Sequence, residues 1–151
     1  VEATEQRSLY ASIAPWRGAA DALDPDAGDI LPYTHLSANL QALDASLDRL
    51  LEEGLEAAFE RHVGAAERCR ERGRELGLET VVPEERCSPT VTAFEVEGSA
   101  RELRRRVESE GVVLATGLAD RANDVLRVGH MGYGADLGRV ERAMNAVAAA
   151  L

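Results

Sequence analysis

The sequence predicts an α+β fold, a two-layer sandwich preceded by two long helices. Apolar residues repeat at helical spacing over 37–77. Short runs of alternating β-branched and apolar residues follow, separated by loops that contain proline or glycine. A last helical pattern closes the chain. Helices that precede, separate and follow the strands pack most simply as one helical layer on one sheet.

The amino-acid composition restricts which residues can form the core and which partners the chain can bind. With 151 residues, one domain is expected. Since 45% of the residues are hydrophobic and only 4% aromatic, the core must consist mainly of Leu, Val and Ala. A net charge of -10 argues against nucleic acid, because phosphate binding requires a basic face. No stretch approaches the ~18 apolar residues of a membrane helix, and the acidic N-terminus has no signal-peptide run. We therefore expect a cytoplasmic protein.

The first 35 residues differ from the rest. They lack clear periodicity and contain three prolines, although a short helix is conceivable over 16–23. We interpret residues 1–35 as an irregular connecting arm and residues 36–151 as the folded domain. Leu9, Tyr10, Ile13 and Trp16 give the arm apolar residues that must pack on something. An arm of this kind indicates a neighbouring polypeptide.

Two long helices are predicted next. The first begins with Ser37 as its N-cap and ends at Gly54. Its apolar stripe consists of Leu40, Leu43, Leu47, Leu50 and Leu51. The second extends from Leu55 to Gly77, and its inward residues are Phe59, His62, Val63, Ala66, Cys69 and Leu76. His62 on such a face is expected to pack rather than to bind a ligand.

Four strands and two more helices complete the domain. The strands are predicted at 78–82, 90–97, 112–115 and 124–128. Ser99 and Glu102 form a capping box before a helix that ends at Gly111. The last helix covers 135–151. Its stripe consists of Leu137, Val140, Met144, Val147 and Leu151.

Two features each allow two interpretations. Arg101, Arg104, Arg105 and Arg106 could form an anion site, but the interleaved glutamates favour a solvated face. Cys69 and Cys87 could form one disulfide, although free thiols in a reducing compartment are the simpler expectation.

Arg127 is the most unusual residue of the sequence. It interrupts the apolar strand Val125-Leu126-Arg127-Val128, which leads into Gly129-His130-Met131-Gly132. A buried arginine needs an anion, and its planar fork matches a carboxylate through two parallel hydrogen bonds. Glycine allows close approach of a ligand to the main chain. The residues alone leave two partners open, a structural Asp or Glu and the carboxylate of a ligand.

Four ordered blocks resemble the C-terminal part of the class V aminotransferases. These pyridoxal-phosphate enzymes include the alanine:glyoxylate and serine:pyruvate types. The blocks are Tyr33-Thr34-His35 with the leucine helix and Glu53-Gly54-Leu55-Glu56, then Ser88-Pro89-Thr90-Val91-Thr92-Ala93, then Gly117-Leu118, and finally 126–132. The similarity covers the chain from about residue 30, and more weakly from residue 8.

The resemblance implies a fold and several roles. Residues 36–151 correspond to the small domain of a fold-type I pyridoxal-phosphate enzyme, usually found in dimers. Arg127 takes the role of the arginine that binds the substrate carboxylate. Thr34 takes the role of the threonine that contacts the cofactor phosphate. The family often has a tyrosine where this chain has Leu31, and Tyr33 is the candidate to replace it.

The chain departs from the family most strongly in its lack of lysine. All 17 basic residues are arginine, so the chain lacks the Schiff-base lysine. A coding bias or adaptation to high salt could explain that composition. Because amino transfer requires this lysine, the resemblance implies a large-domain polypeptide that supplies the lysine and most of the cofactor site. This chain alone would be inactive. It would be a small subunit or fragment of an enzyme that acts on a small amino acid and a 2-oxo acid.

Two alternative functions are a non-catalytic carboxylate-binding or scaffolding protein and a cysteine desulfurase relative. The context of Cys87 argues against the desulfurase.

Overall fold

A computed structural model describes residues 36–151. The predicted arm, the possible helix over 16–23, Tyr33 and Thr34 lie outside this range. Contact density divides the chain into two compact units, Val1–Arg49 and Leu50–Leu151. The predicted domain boundary after residue 35 stays a prediction.

Two consecutive helices begin the described part. Helix α1 is Ser37–Glu53 and helix α2 is Leu55–Glu75, separated by Gly54 at a φ of 86°. The carbonyl of Leu36 accepts the first i+4 hydrogen bond of α1, so the expected Ser37 cap is displaced by one residue. No residue of α1 is buried. Of its predicted stripe, Leu40, Leu43, Leu47 and Leu51 are exposed, and Leu50 is half-buried.

The sheet contains three strands and one further bridge. Strand β1 is Val91–Glu95, β2 is Ala115–Thr116 and β3 is Val125–Gly129. Both β1 and β2 pair antiparallel with β3, which is therefore the middle strand. The predicted strand at 78–82 is reduced to the bridge between Thr80 and Phe94. The predicted strand at 112–115 is wrong in its bounds, because the pairing residues are Ala115 and Thr116.

Helix α3 is Ala100–Ser109 and helix α4 is Leu137–Ala150. Ser99 precedes α3, but its hydroxyl donates to the carbonyl of Val96 instead of capping the helix, so the capping box is wrong. Asp136 caps α4 by accepting the N–H of Arg139 at 2.9 Å. Within residues 36–151, no helix has the length and apolarity that crossing a membrane requires.

Helices α2, α3 and α4 cover one face of the sheet, as the predicted two-layer α+β fold requires. Helix α2 packs tightly on the sheet at Gly73. A Cβ atom on this residue would lie 2.2 Å from a ring carbon of Phe94, so only glycine fits there. The largest buried side chains of the core are Phe94, Leu103, Leu126, Met144, Val107, Val128 and Val147. Phe59 and Val63, predicted to point inward, are exposed, because Ala58, Ala65 and Ala66 supply the buried face of α2.

Candidate functional site

Arg127 lies on the sheet face that the helices leave uncovered. Side chains alternate between the faces of a strand, and the neighbours of Arg127 on β3, Leu126 and Val128, are buried in the core. Cross-strand pairing places Arg127 between Ala93 of β1 and Ala115 of β2. These two small side chains leave space on both sides of the guanidinium group.

Arg127 is half-buried, and one nitrogen of its guanidinium group forms a hydrogen bond. Its Nε donates a hydrogen bond of 2.7 Å to the carbonyl oxygen of Thr116. Within residues 36–151 no Asp or Glu forms an ion pair with Arg127, and the two terminal nitrogens have no recorded hydrogen-bond acceptor there. The structural salt bridge that the sequence left open is therefore not found in the described part. The two terminal nitrogens of Arg127 are therefore able to bind a carboxylate.

The loop after β3 is held by a clamp that sequence patterns did not reveal. His62 Nε2 accepts the main-chain N–H of Gly132 at 2.9 Å, and Arg61 Nη1 donates to the carbonyl of Gly132 at 2.7 Å. Two adjacent side chains of α2 thus bind both polar groups of one residue. Arg61 also donates to the carbonyl of Ala135 at 2.9 Å. The clamp fixes the chain between β3 and α4.

The other side of the Arg61 guanidinium is anchored at the end of α1. Its Nε and Nη2 donate to the two carboxylate oxygens of Glu53 at 2.5 and 2.8 Å. These hydrogen bonds hold the pKa of Glu53 below its ordinary value. The two residues are eight positions apart across a helix break, and no local spacing rule pairs such residues. Only the folded structure identifies the pair.

His62 has a structural role, as the sequence indicated. Its Nδ1 lies 2.6 Å from the carbonyl of Ala58, one turn earlier in α2, and donates to it. The Nε2 atom is then the acceptor for the N–H of Gly132. Both ring nitrogens are used, so neither is free for a ligand.

His130 is a buried polar residue directly after β3. Its Nδ1 donates to the carbonyl of Pro89 at 3.2 Å, and its Nε2 accepts from the hydroxyl of Thr92 at 2.9 Å. Burial lowers its pKa below the ordinary 6.5, so the neutral ring is favoured. The ring joins β1 to the end of β3 and supports the strand that carries Arg127.

Cys69 and Cys87 are free thiols in the structure. Cys69 is buried with its sulfur 3.8 Å from that of Met144, and burial raises its pKa to about 11. Cys87 is half-buried in a loop. In residues 36–151 no cluster of His, Cys, Asp and Glu is suited to a metal ion.

The arginine-rich helix α3 has the predicted solvated face. Arg105 pairs with Glu102 at 2.7 Å, and Arg104 with Glu108 at 3.2 Å. Arg106 lies 3.9 Å from Glu102. These short-range pairs neutralise the arginines locally, so an anion site there is not supported.

Known proteins share both the sequence and the fold. Pyridoxamine–pyruvate transaminase of Mesorhizobium japonicum is 31% identical over 130 residues, which are 83% of this chain and 32% of that enzyme. Alanine–glyoxylate aminotransferase of Oryctolagus cuniculus is 35% identical over 73% of this chain and 29% of its own length. No family model matches the sequence.

A solved structure matches nearly the whole chain. Pyridoxamine–pyruvate aminotransferase from Mesorhizobium loti superposes with a TM-score of 0.81 at 30% identity. The match covers 92% of this chain and 35% of that protein. The chain therefore spans about a third of the length of the relatives that it matches.

Proposed function

We propose that this chain, which belongs to the class V pyridoxal-phosphate-dependent aminotransferases, acts as the small domain or small subunit of such an enzyme. The complete assembly moves an amino group between a small amino acid and a 2-oxo acid such as glyoxylate or pyruvate. This chain supplies the substrate carboxylate site. Another polypeptide supplies the lysine.

The main support for the proposal is the arrangement of the residues around Arg127. Ala93 and Ala115 flank the half-buried residue Arg127, whose Nε donates a hydrogen bond to the carbonyl oxygen of Thr116. With Nε held, the side chain loses little further freedom when the terminal nitrogens bind a carboxylate. A carboxylate fixed at two points has a defined orientation, which places the rest of the substrate for reaction.

The residues of this chain do not suffice to hold the cofactor for amino transfer. The sequence contains no lysine, so no side-chain amine is present to form a covalent bond with pyridoxal phosphate. The cofactor must be bound mainly by the large-domain polypeptide.

Further parts of the assembly are proposals as well. Thr34 would contact the cofactor phosphate of a neighbouring subunit, with Tyr33 beside it. This arrangement implies a dimer or hetero-oligomer. We also propose a cytoplasmic location. The names of the matched relatives contain pyruvate and glyoxylate, two small 2-oxo acids, which supports the substrate class.

The test requires the complete protein. The coding sequence directly before Val1 identifies the remaining polypeptide, which is then produced with residues 1–151 in its natural arrangement, fused or separate. Cofactor absorbance and amino transfer from alanine or serine to glyoxylate or pyruvate are recorded. We expect transfer that Arg127→Ala abolishes and Arg101→Ala retains, because Arg101 is exposed and has no recorded ion pair within residues 36–151.

Two outcomes would contradict the proposal. One is an assembly that binds the cofactor and transfers no amino group to any of these acids. The other is full activity in Arg127→Ala. Tight binding of glyoxylate, pyruvate or alanine to the isolated chain, measured by calorimetry, would favour the non-catalytic carboxylate-binding protein instead.

A further inference from the structure

Glu95 lies on the same uncovered face of the sheet as Arg127. It is the last residue of strand β1, and the residue before it, Phe94, is fully buried in the core. Because side chains alternate along a strand, Glu95 belongs to the opposite, uncovered face. Strand register pairs Arg127 with Ala93, two positions before Glu95. Glu95 is therefore a diagonal cross-strand neighbour of Arg127, at a separation of about 7–8 Å that long side chains span.

Glu95 is also the only acidic residue in the three strands that the structure describes. Strands β2 and β3 contain no Asp or Glu, and β1 contains Glu95 alone. Opposite charges on neighbouring strands attract one another, and an arginine fork binds a carboxylate through two hydrogen bonds. The Glu95 side chain is thus a potential competitor for the site that we assign to the substrate carboxylate.

A different arginine binds the Glu95 carboxylate. Nη2 of Arg121 donates to both carboxylate oxygens of Glu95, at 2.6 Å each. Arg121 belongs to the short 3-10 helix Ala119–Asn123, which connects β2 to β3. Among residues 36–151, no ion pair joins Glu95 to Arg127. Both oxygens of Glu95 are therefore engaged by Arg121.

The main chain around Arg121 is fixed without its side chain. A Cβ atom on Gly117 would lie 2.2 Å from the carbonyl oxygen of Arg121, so the turn packs closely on this glycine. The side chain of Asn123 donates to the carbonyl of Gly98 at 2.6 Å, and Asp124 accepts the N–H of Gly98 at 3.0 Å. Truncating the Arg121 side chain should therefore release the carboxylate and leave the turn in place.

We propose that Arg121 is a positioning residue that holds the Glu95 carboxylate away from Arg127. The terminal nitrogens of Arg127 then stay available for the carboxylate of the substrate. The inference rests on the proposed function, in which Arg127 binds that carboxylate. Without the Arg121 side chain, Glu95 pairs with Arg127. A carboxylate tethered in this way competes with the substrate at an effective concentration in about the millimolar range.

Steady-state kinetics of the complete protein test the inference. We expect Arg121→Ala to raise KM for the amino donor and for the oxo acid about tenfold, because both carboxylates compete with Glu95. Saturating substrate displaces Glu95, so kcat should stay within about twofold of the wild-type value. Arg121→Ala combined with Glu95→Gln should return both KM values to the wild-type level. A purely structural role of Arg121 would not be rescued in this way.

The matched control is Arg105→Ala. It also removes an exposed arginine from an ion pair, the one with Glu102 on α3, and should leave both KM values unchanged. Arg121→Met, which keeps an unbranched side chain without charge, replaces Arg121→Ala if the alanine variant does not assemble.

A crystal structure of the Arg121→Ala protein, grown without substrate, gives a readout that does not depend on activity. We expect the Glu95 carboxylate within about 4 Å of a terminal nitrogen of Arg127. The positioning role is refuted by an unchanged KM, by a raised KM that Glu95→Gln does not restore, or by a variant structure in which the two residues stay apart. A wild-type assembly without amino transfer contradicts the proposed function instead, and the variant structure then decides the role of Arg121.

Discussion

The Nε of Arg127 and the carbonyl oxygen of Thr116 are joined by a hydrogen bond of 2.7 Å, which links the middle strand to its edge neighbour β2. The bond uses the inner nitrogen of the guanidinium group and leaves the two terminal nitrogens for other acceptors. Lysine has one nitrogen at the end of a flexible chain, so it cannot make this bond and bind a carboxylate at two points.

We therefore expect Arg127→Lys in the complete protein to lower kcat/KM for the amino acid about a hundredfold, since charged hydrogen bonds contribute about 1.5–3 kcal/mol each. Steady-state kinetics with alanine and serine test this. Arg101→Lys is the control and should leave kcat/KM unchanged. An Arg127→Lys enzyme with unaltered kinetics would contradict the carboxylate role.

Gly73 should tolerate no side chain. Gly73→Ala places a methyl group within 2.5 Å of two ring carbons of Phe94, so the ring or the helix must move. We expect the free energy of unfolding to fall by about 1–3 kcal/mol. Gly64→Ala in the same helix has open space around its Cβ and should stabilise by about 0.5–1 kcal/mol. Urea denaturation of the two variants gives the comparison, and equal effects would refute the close packing.

The clamp on Gly132 should be measurable at a single amide. His62→Phe removes the acceptor of the Gly132 N–H but keeps a ring of similar size. We expect exchange of this amide to accelerate at least tenfold and stability to fall by about 1–3 kcal/mol. Arg105→Gln, which breaks an exposed ion pair on α3, should change stability by less than about 0.5 kcal/mol. Unchanged exchange at Gly132 would rule the clamp out.

Stability should fall in mild acid because of His130. Its pKa is lowered in the folded state, mainly by burial, so below pH 6.5 the unfolded chain binds a proton that the folded chain resists. The stabilisation is complete above this pH and is lost as the pH falls towards the lowered value. Between pH 7.5 and 5.5 the wild-type chain should lose more stability than His130→Gln. Denaturation curves at both pH values test this, and equal losses would contradict it.

The two thiols should differ in reactivity. Burial raises the pKa of Cys69 to about 11, so its thiol stays protonated at pH 8. Since the thiolate is the reactive form, iodoacetamide at pH 8 should modify Cys87 in the native chain and both cysteines in urea. Mass spectrometry of the alkylated chain identifies the sites. Rapid native modification of Cys69 would mean that its surroundings are open.

Sequence patterns predicted the long helices, the α+β class and the strand that carries Arg127. These features depend on local periodicity, which the chain displays clearly. The faces of the helices were predicted less well. Spacing alone predicts Phe59 and Val63 as core residues, but they are exposed because the sheet and α4 cover the small residues of α2.

The surroundings of Arg127 depend on strand pairing, which spacing does not encode. Ala93 and Ala115 flank it only through the register of two antiparallel ladders. Likewise, Glu53, Arg61 and Gly132 meet through a helix break and a contact between residues 71 positions apart. Thr34 and Tyr33 stay predictions from the resemblance alone.

The position of β3 between two paired strands bears on how chains of this kind can diversify. Moving the backbone at Arg127 would break hydrogen bonds on both edges of β3, so this position is costly to alter. The side chains at 93 and 115 are not constrained in this way, because they stand on the open face. Exchanging these alanines for larger or charged residues would reshape the space beside a stationary guanidinium group. New acid preferences could thus arise by substitution at two neighbouring positions without any change in the scaffold.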